Sequence, residues 1–317
     1  SQGASVGIPI DGCPAGLPIA EADFTEDIER RKGGMQKGTT PRQEEDKPIF
    51  YSGIYNGNTT GAPITILFEN KNTRSGDYEK HRAIPRPGHA DFVAHQKFGG
   101  HEDHRGGGHF SGRLTLCLVA AGVIAKKLLK ETKVIARITQ IGGEADIEKG
   151  LQKAIDAKDS VGGIVECSVA GLPVGLGEPF FNSVESLLAH AAFAIPAVKG
   201  IEFGAGFAAA QMFGTEHNDA IIDARGKTKT NNAGGIVGGI TNGNELLFRI
   251  AVKPTSSTPK EQESWNKETE TVEKFSVKGR HDLCIALRVP PVLEAVTAMV
   301  LVDLLMAVQK IERVFNP

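Results

Sequence analysis

The chain has 317 residues, 40% hydrophobic and 23% charged, with a formal net charge of −2. That length allows one large or two ordinary folded domains, and the composition excludes disorder and collagen-like repetition. The near-neutral balance argues against a general nucleic-acid binder, and an aromatic content of 6% argues against a base-stacking groove.

Residues 5–10 (SVGIPI) are expected to form a strand. Residues 25–32 (TEDIERRK) follow as a short helix capped by Thr25 and stopped by Gly33-Gly34. The stretch 47–70 gives two strands around a Gly/Asn-rich turn, and 77–113 is charged and rich in histidine. The run 111–130 (SGRLTLCLVAAGVIAKKLLK) is the strongest helix, apolar around too much of its circumference for a surface position, with Ser111 as its cap. Strands are expected near 134–142, 162–170, 245–252 and 271–277. Helices are expected at 183–195 and at 291–313, the latter opened by Pro290-Pro291. The polar stretch 259–274 reads as an exposed loop. Strands mixed with a few long apolar helices, without strict alternation, indicate an α+β fold, and with no linker visible the whole chain, 1–317, reads as a single domain.

The four cysteines, Cys13, Cys117, Cys167 and Cys284, lie far apart with no zinc-site spacing, as expected of reduced thiols in a cytoplasmic protein. The longest apolar runs, 114–125 and 292–308, are respectively too short and interrupted by Glu294 and Asp303, so no membrane association is expected. No targeting segment is visible.

Six of the nine histidines, His81, His89, His95, His101, His104 and His109, fall within 81–109 together with Arg82, Arg86, Lys97 and Arg105, and Arg113 follows. Such a cationic segment on a nearly neutral chain suits a multiply anionic small ligand. Scattered surface histidines are the plain alternative. A metal site is not expected, because His101-Glu102-Asp103-His104 lacks the spacing of a helical zinc motif. Gly106-Gly107-Gly108, just before the long helix, exposes backbone amides near a helix N-terminus and can receive an anion. Lys253-Pro254-Thr255-Ser256-Ser257 offers one cation and three hydroxyls after a strand, and Gly279-Arg280-His281-Asp282 joins a guanidinium, an imidazole and a carboxylate. P-loop and Rossmann glycine patterns are missing.

Taken in order, IDGCPAGLPI (10–19), Arg30-Arg31, Arg86-Pro87-Gly88-His89-Ala90-Asp91, the glycine triplet, AAGVIAKK (120–127), NNAGGIVGGITNG (231–243), KPTSS (253–257) and GRHD (279–282) resemble the chorismate synthase family. The resemblance spans nearly the whole chain. It implies an α+β sandwich of two antiparallel sheets around central helices, assembled as a homotetramer. It also implies a lyase that uses reduced FMN to eliminate phosphate from 5-enolpyruvylshikimate 3-phosphate, giving chorismate, with NADPH as a candidate reductant.

Position by position, the resemblance makes His89 a proton-exchanging group beside the flavin, with Arg86 close by, and Asp282 the acid that assists the second hydrogen removal. Flavin contacts are implied for His109, Phe110, Ser111, Pro196, Ala197, Gly238, Lys253, Pro254, Thr255, Ser256, Ser257 and Arg280. Arg31 and Lys37 stand where the family has basic residues for phosphate or reduced nicotinamide. Gln2 occupies the place of the histidine in the family's first motif, and a few family residues are expected to precede Ser1. A glutamine donates a hydrogen bond but delivers no proton near neutral pH. Two rival expectations therefore stand beside the first: a flavin-binding but catalytically silent member of the same family, and a metal-dependent hydrolase built on 81–109.

Overall fold

The computed structural model describes residues 3–34, 37–39, 45–71, 83–277, 281–309 and 311. Its strands are β1 (Ser5–Ile10), β2 (Ile49–Ser52), β3 (Ile54–Tyr55), β4 (Asn58–Thr59), β5 (Ile64–Glu69), β6 (Lys133–Ile141), β7 (Gly163–Ala170), β8 (Val198–Phe203), β9 (Ile236–Val237), β10 (Ile240–Thr241), β11 (Leu246–Val252), β12 (Gln262–Asn266) and β13 (Thr271–Phe275). Its α-helices are α1 (Thr25–Arg31), α2 (Asp91–Phe98), α3 (Thr115–Leu128), α4 (Ile147–Ala157), α5 (Val184–Phe193), α6 (Gly214–His217) and α7 (Pro290–Ala307).

Two antiparallel sheets enclose the helices. The first has the order β1-β5-β2, with Ser5 opposite Glu69 and Ile10 opposite Ile64. The second has the order β6-β7-β11-β8. The central strands bury alternate residues, as period-two patterning predicts: Ile64, Ile66 and Phe68 from β5, Val165, Cys167 and Val169 from β7, and Leu246, Phe248, Ile250 and Val252 from β11. Between the sheets lie α3, packed on β1, and α7, packed on α3 and on β6 and β7. This is the α+β sandwich anticipated from the sequence.

Helix α7 has a mean hydropathy of 1.7 and is long and apolar enough to cross a membrane, yet it is the central helix of the core. The two helices meet at Gly122, where an added Cβ would lie 2.2 Å from that of Ala295. Only glycine allows so close a crossing. Glu294, buried inside α7, accepts from Arg30 at 2.7 and 2.8 Å, from Lys126 at 2.6 Å and from the Ala136 amide at 2.9 Å. Burial tends to raise its carboxyl, but Arg30 and Lys126 hold it below its ordinary value.

Several local expectations change. The polar stretch 259–274 is not a loop: β12 and β13 pair from Gln262–Phe275 to Asn266–Thr271. Its hairpin leaves Trp265 and Val272 exposed, which is why no alternation marked it. Ser264 Oγ donates to Pro85 O at 2.6 Å and the Lys267 amide to Ala83 O at 3.0 Å, so the ribbon braces the segment leading to His89. Thr25 does not cap α1, because a 3₁₀ turn at Glu21–Phe24 runs straight into it and Asp23 accepts from the Ala20 amide instead. Ser111 caps the 3₁₀ turn Gly112–Leu114, and the α-helix proper starts at Thr115.

Candidate active site

A cleft of about 460 Å³ opens where the N-terminal ends of α3 and α7 approach the loop after β11. Arg31, Arg86, His89, Phe110, Ser111, Pro196, Ala197, all five residues of Lys253–Ser257, and Asp282 line it. Segments far apart in sequence thus converge as expected.

The strongest feature is a cluster of guanidiniums. Arg31, at the end of α1, is 2% exposed. Its Nε donates to Thr115 Oγ1 at 3.0 Å, and its Nη2 points at the carbonyls of Gly112 and Arg113 at 3.4 and 3.3 Å. Asp46 Oδ2 lies 3.6 Å from Arg31 Nη1, while Asp46 Oδ1 accepts from Arg113 Nη1 at 2.5 Å. Arg288 donates to Arg31 O at 2.9 Å and to Asp282 Oδ2 at 3.1 Å. Burial, then the charges of Arg288 and Arg113, push Arg31 down to about 9 against the opposing pull of Asp46, so it remains charged at neutral pH.

On the opposite wall, Asp91 opens α2 and gathers two side chains. Arg86 Nε and Nη2 donate to its two oxygens at 2.7 and 2.8 Å, and His89 Nδ1 lies 2.5 Å from Oδ1. Arg86 Nη1 reaches on to Ser257 Oγ at 3.0 Å. Burial alone raises the Asp91 carboxyl, but Arg86 and His89 more than reverse this and hold it far below the usual carboxylate range. The ionised Asp91 favours the His89 tautomer with Nδ1–H as donor, while Arg86 Nη2 lies 3.0 Å from Nδ1 and 3.2 Å from Nε2 and so faces the ring as well.

Lys253 Nζ donates to Gly88 O at 3.0 Å and to Ser256 Oγ at 2.8 Å. Burial, then Lys199, lowers its pKa. Next to it, Thr255 Oγ1 is buried with no hydrogen-bond partner in the protein. Ala197 adopts φ +73°, a left-handed conformation costly for a residue with a Cβ, and its carbonyl accepts from the Lys253 amide at 2.9 Å.

Not every candidate comes to the cleft. His109 stacks on Phe110 with ring centroids 4.4 Å apart and turns into a neighbouring cavity of about 450 Å³, shared with His95 and His104. Lys37 lies outside, its Nζ donating to Gln152 Oε1 at 3.0 Å. Gly238 sits on the exposed turn between β9 and β10, with nothing within 4 Å of where a Cβ would be, and no residue of 231–243 lines the cleft. Other glycines of that segment serve close packing within the chain: a Cβ on Gly234 would come within 2.5 Å of the Gly204 amide. Gln2 and Arg280 lie outside the described residues. In exchange, the cleft gains Asp46, Arg113, Thr115, His281 and Arg288. Arg113 was visible as one cation among many. Asp46 and Arg288 belong to no motif and reach the site only through tertiary folding.

Fold and cleft together define a class: an α+β sandwich protein whose cleft gathers several guanidiniums. The chorismate synthase family profile matches residues 1–306. A chorismate synthase from Chitinophaga pinensis is 70% identical over 317 residues, covering all of this chain and 95% of the relative. One from Dehalococcoides mccartyi is 44% identical over 347 aligned positions, with the same coverage. A crystal structure of chorismate synthase superposes with a TM-score of 0.72 at 25% identity, covering 97% of this chain and 89% of the other. The chain belongs to the chorismate synthase family.

Proposed function

We propose that this enzyme converts 5-enolpyruvylshikimate 3-phosphate to chorismate and inorganic phosphate by a 1,4-elimination, with reduced FMN bound in the cleft. One observation carries the reading. Six cations, Arg31, Lys32, Arg86, Arg113, Lys253 and Arg288, line the cleft with two carboxylates, Asp46 and Asp282, while Asp91 pairs with Arg86, leaving a positive surplus at one place. Substrate and cofactor together bring two phosphates and two carboxylates, which is the charge such a surplus suits.

The residues fit a phosphorylated cofactor. Thr255 Oγ1 lacks a protein partner beside Lys253 and Ser256. Gly88, whose carbonyl accepts from Lys253 and Ser256, sits at φ +70°, a conformation strained for a residue with a Cβ. Lys253, Thr255 and Ser256 would hold the cofactor, with Pro196 and Ala197 along its edge. Reduced FMN, when bound, supplies electron density as the substrate C–O bond breaks and assists loss of the C6 hydrogen. The chain's own tasks follow from its geometry. Arg31, Arg113 and Arg288 bind the substrate phosphate and stabilise negative charge growing on the departing oxygen. His89, oriented by Asp91, exchanges a proton at Nε2. Asp282, its carboxylate steadied by Arg288, assists removal of the second hydrogen as the nearby proton acceptor. The electrons of the broken C–H bond form the new double bond, so the reaction is redox-neutral.

Self-association is part of the proposal. Phe180, Phe181, Phe207 and Phe213 are between 78% and 92% exposed in the single chain. Exposed aromatics of this extent suit burial between subunits, and sedimentation checks the expected tetramer. Four free, buried cysteines suit a cytoplasmic location. The decisive assay is anaerobic, with reduced FMN and 5-enolpyruvylshikimate 3-phosphate. Equimolar chorismate and phosphate support the reading, flavin binding without product favours the silent alternative, and neither binding nor product overturns both. Oxidation of NADPH in the presence of free FMN tests whether the chain reduces its own flavin.

A further inference from the structure

The guanidinium cluster contains one carboxylate for which the elimination has no direct use. Asp46 is buried, with its side chain 2% exposed, and its two oxygens divide between Arg113 Nη1 at 2.5 Å and Arg31 Nη1 at 3.6 Å. The remaining contacts of Arg31 are to neutral acceptors, Thr115 Oγ1 and the carbonyls of Gly112 and Arg113, so they orient the group without compensating its charge. The backbone at Asp46 has φ +48°, a conformation that aspartate and asparagine accept more readily than most residues. Around the pair stand Arg288 and Asp282 from the segment before α7, His281 beside them, Cys117 from α3, and Asn70 Oδ1, which accepts from Arg113 Nε at 3.1 Å.

We propose that Asp46 is a positioning residue acting as the resident counter-anion of Arg31 and Arg113, holding both guanidiniums in place and weakening the cluster's grip on phosphate so that inorganic phosphate can leave. The proposal rests on the reading that the substrate phosphate binds at this end of the cleft. Two demands conflict there. Guanidiniums buried without a counter-charge are costly, yet a cluster satisfied only by phosphate would retain its product. A carboxylate within the cluster meets the first demand permanently and opposes every incoming anion. A negative charge about 6 Å from a bound phosphate, at an effective dielectric constant of roughly 20 to 40, changes anion affinity about ten- to hundredfold.

The test uses the full chain and inorganic phosphate as the probe. Asp46→Asn keeps the tolerance for positive φ and removes the charge, and Asp46→Gly does the same with a residue at home in that conformation. Calorimetric titration should give a phosphate Kd at least tenfold lower in both variants. Phosphate should inhibit turnover with a Ki lowered by a similar factor, KM for substrate should fall with it, and kcat should not rise. Thermal stability without phosphate should drop and be restored by phosphate more than in the wild type. A phosphate Kd that is unchanged or raised, with only Tm lowered, would mean a purely structural role and overturns the proposal. If neither variant folds in phosphate-free buffer, recovery of the fold in phosphate supports the counter-anion role and failure to recover refutes it. Wild-type chorismate formation tests the parent reading separately: a wild type that turns over, with variants of unaltered phosphate affinity, sinks this inference alone.

Discussion

Arg30 and Arg31 are consecutive residues of α1, yet they serve two clusters of opposite design. Arg30 joins Lys126, Asp27 and Glu294 in a group of two cations and two carboxylates, completed by the Ala136 amide. Arg31, about 100° further round the helix, joins Arg113, Arg288, Asp46 and Asp282, where cations outnumber carboxylates. Both groups are largely buried and use the same side-chain types. The balanced one ties α1, α3, α7 and β6 together and needs nothing from outside. The unbalanced one lines a cleft and carries a surplus that a ligand must satisfy. Surplus, more than burial or the number of ion pairs, separates binding machinery from scaffold here.

The largest effect expected lies on the cleft side. Changing His89 to alanine should lower kcat by about 10²- to 10⁴-fold, the usual worth of a positioned proton-transfer group, with the flavin Kd changed less than about threefold. Full activity in that variant would remove His89 from the chemistry. On the balanced side, Glu294→Ala should cost about 1–3 kcal/mol of unfolding free energy, because the buried Ala136 amide would lose its acceptor and Arg30 and Lys126 would share Asp27 alone. Denaturant titration reads this out. An altered KM in the folded variant would show that the two clusters are coupled after all.

Gln2→His, in residues outside the described ones, should raise kcat at least tenfold if the side chain reaches the departing phosphate; no change would mean that phosphate leaves without a protein acid. The mildest test is acid. Asp91 and Glu294 both have folded-state values below their unfolded ones, near ~3.9 and ~4.3. The unfolded chain therefore takes up protons first. Their stabilisation is complete above those unfolded values and is lost as pH falls through them toward the folded ones. Unfolding free energies measured between about pH 6 and pH 3 should decline, and Glu294→Gln should flatten the slope.

Much of this was legible beforehand, for identifiable reasons. The buried strands β5, β7 and β11 and the helices α3 and α7 advertise themselves by alternating or all-round apolar residues. Of the β12–β13 ribbon only β13 was expected, as a strand near 271–277; β12 gives no such signal, because it is polar and covers little. Helix α4 carries a readable signal, Asp146 accepting from the Lys149 amide ahead of Ile147, Leu151 and Ala154, in a stretch for which no element was expected. At the site, contiguous motifs such as Arg86–Asp91 and Lys253–Ser257 survived translation into space. Isolated residues did not, since nothing local marks Asp46 or Arg288. The glycine-rich segment 231–243 shows why glycine is an ambiguous signal: it marks close approach without saying to what, and at Gly234 and Gly235 the neighbour is the chain's own backbone.

Gly122 never meets a ligand, yet its missing Cβ sets how closely α3 can lie against α7. Both helices open onto the cleft, one through Thr115 and the other through Val289 and Val292. A single hydrogen atom deep in the core therefore acts as the gauge block of the active site. A methyl group at position 122 would spread the cleft's walls from behind, loosening substrate contacts while leaving every residue that makes them unchanged.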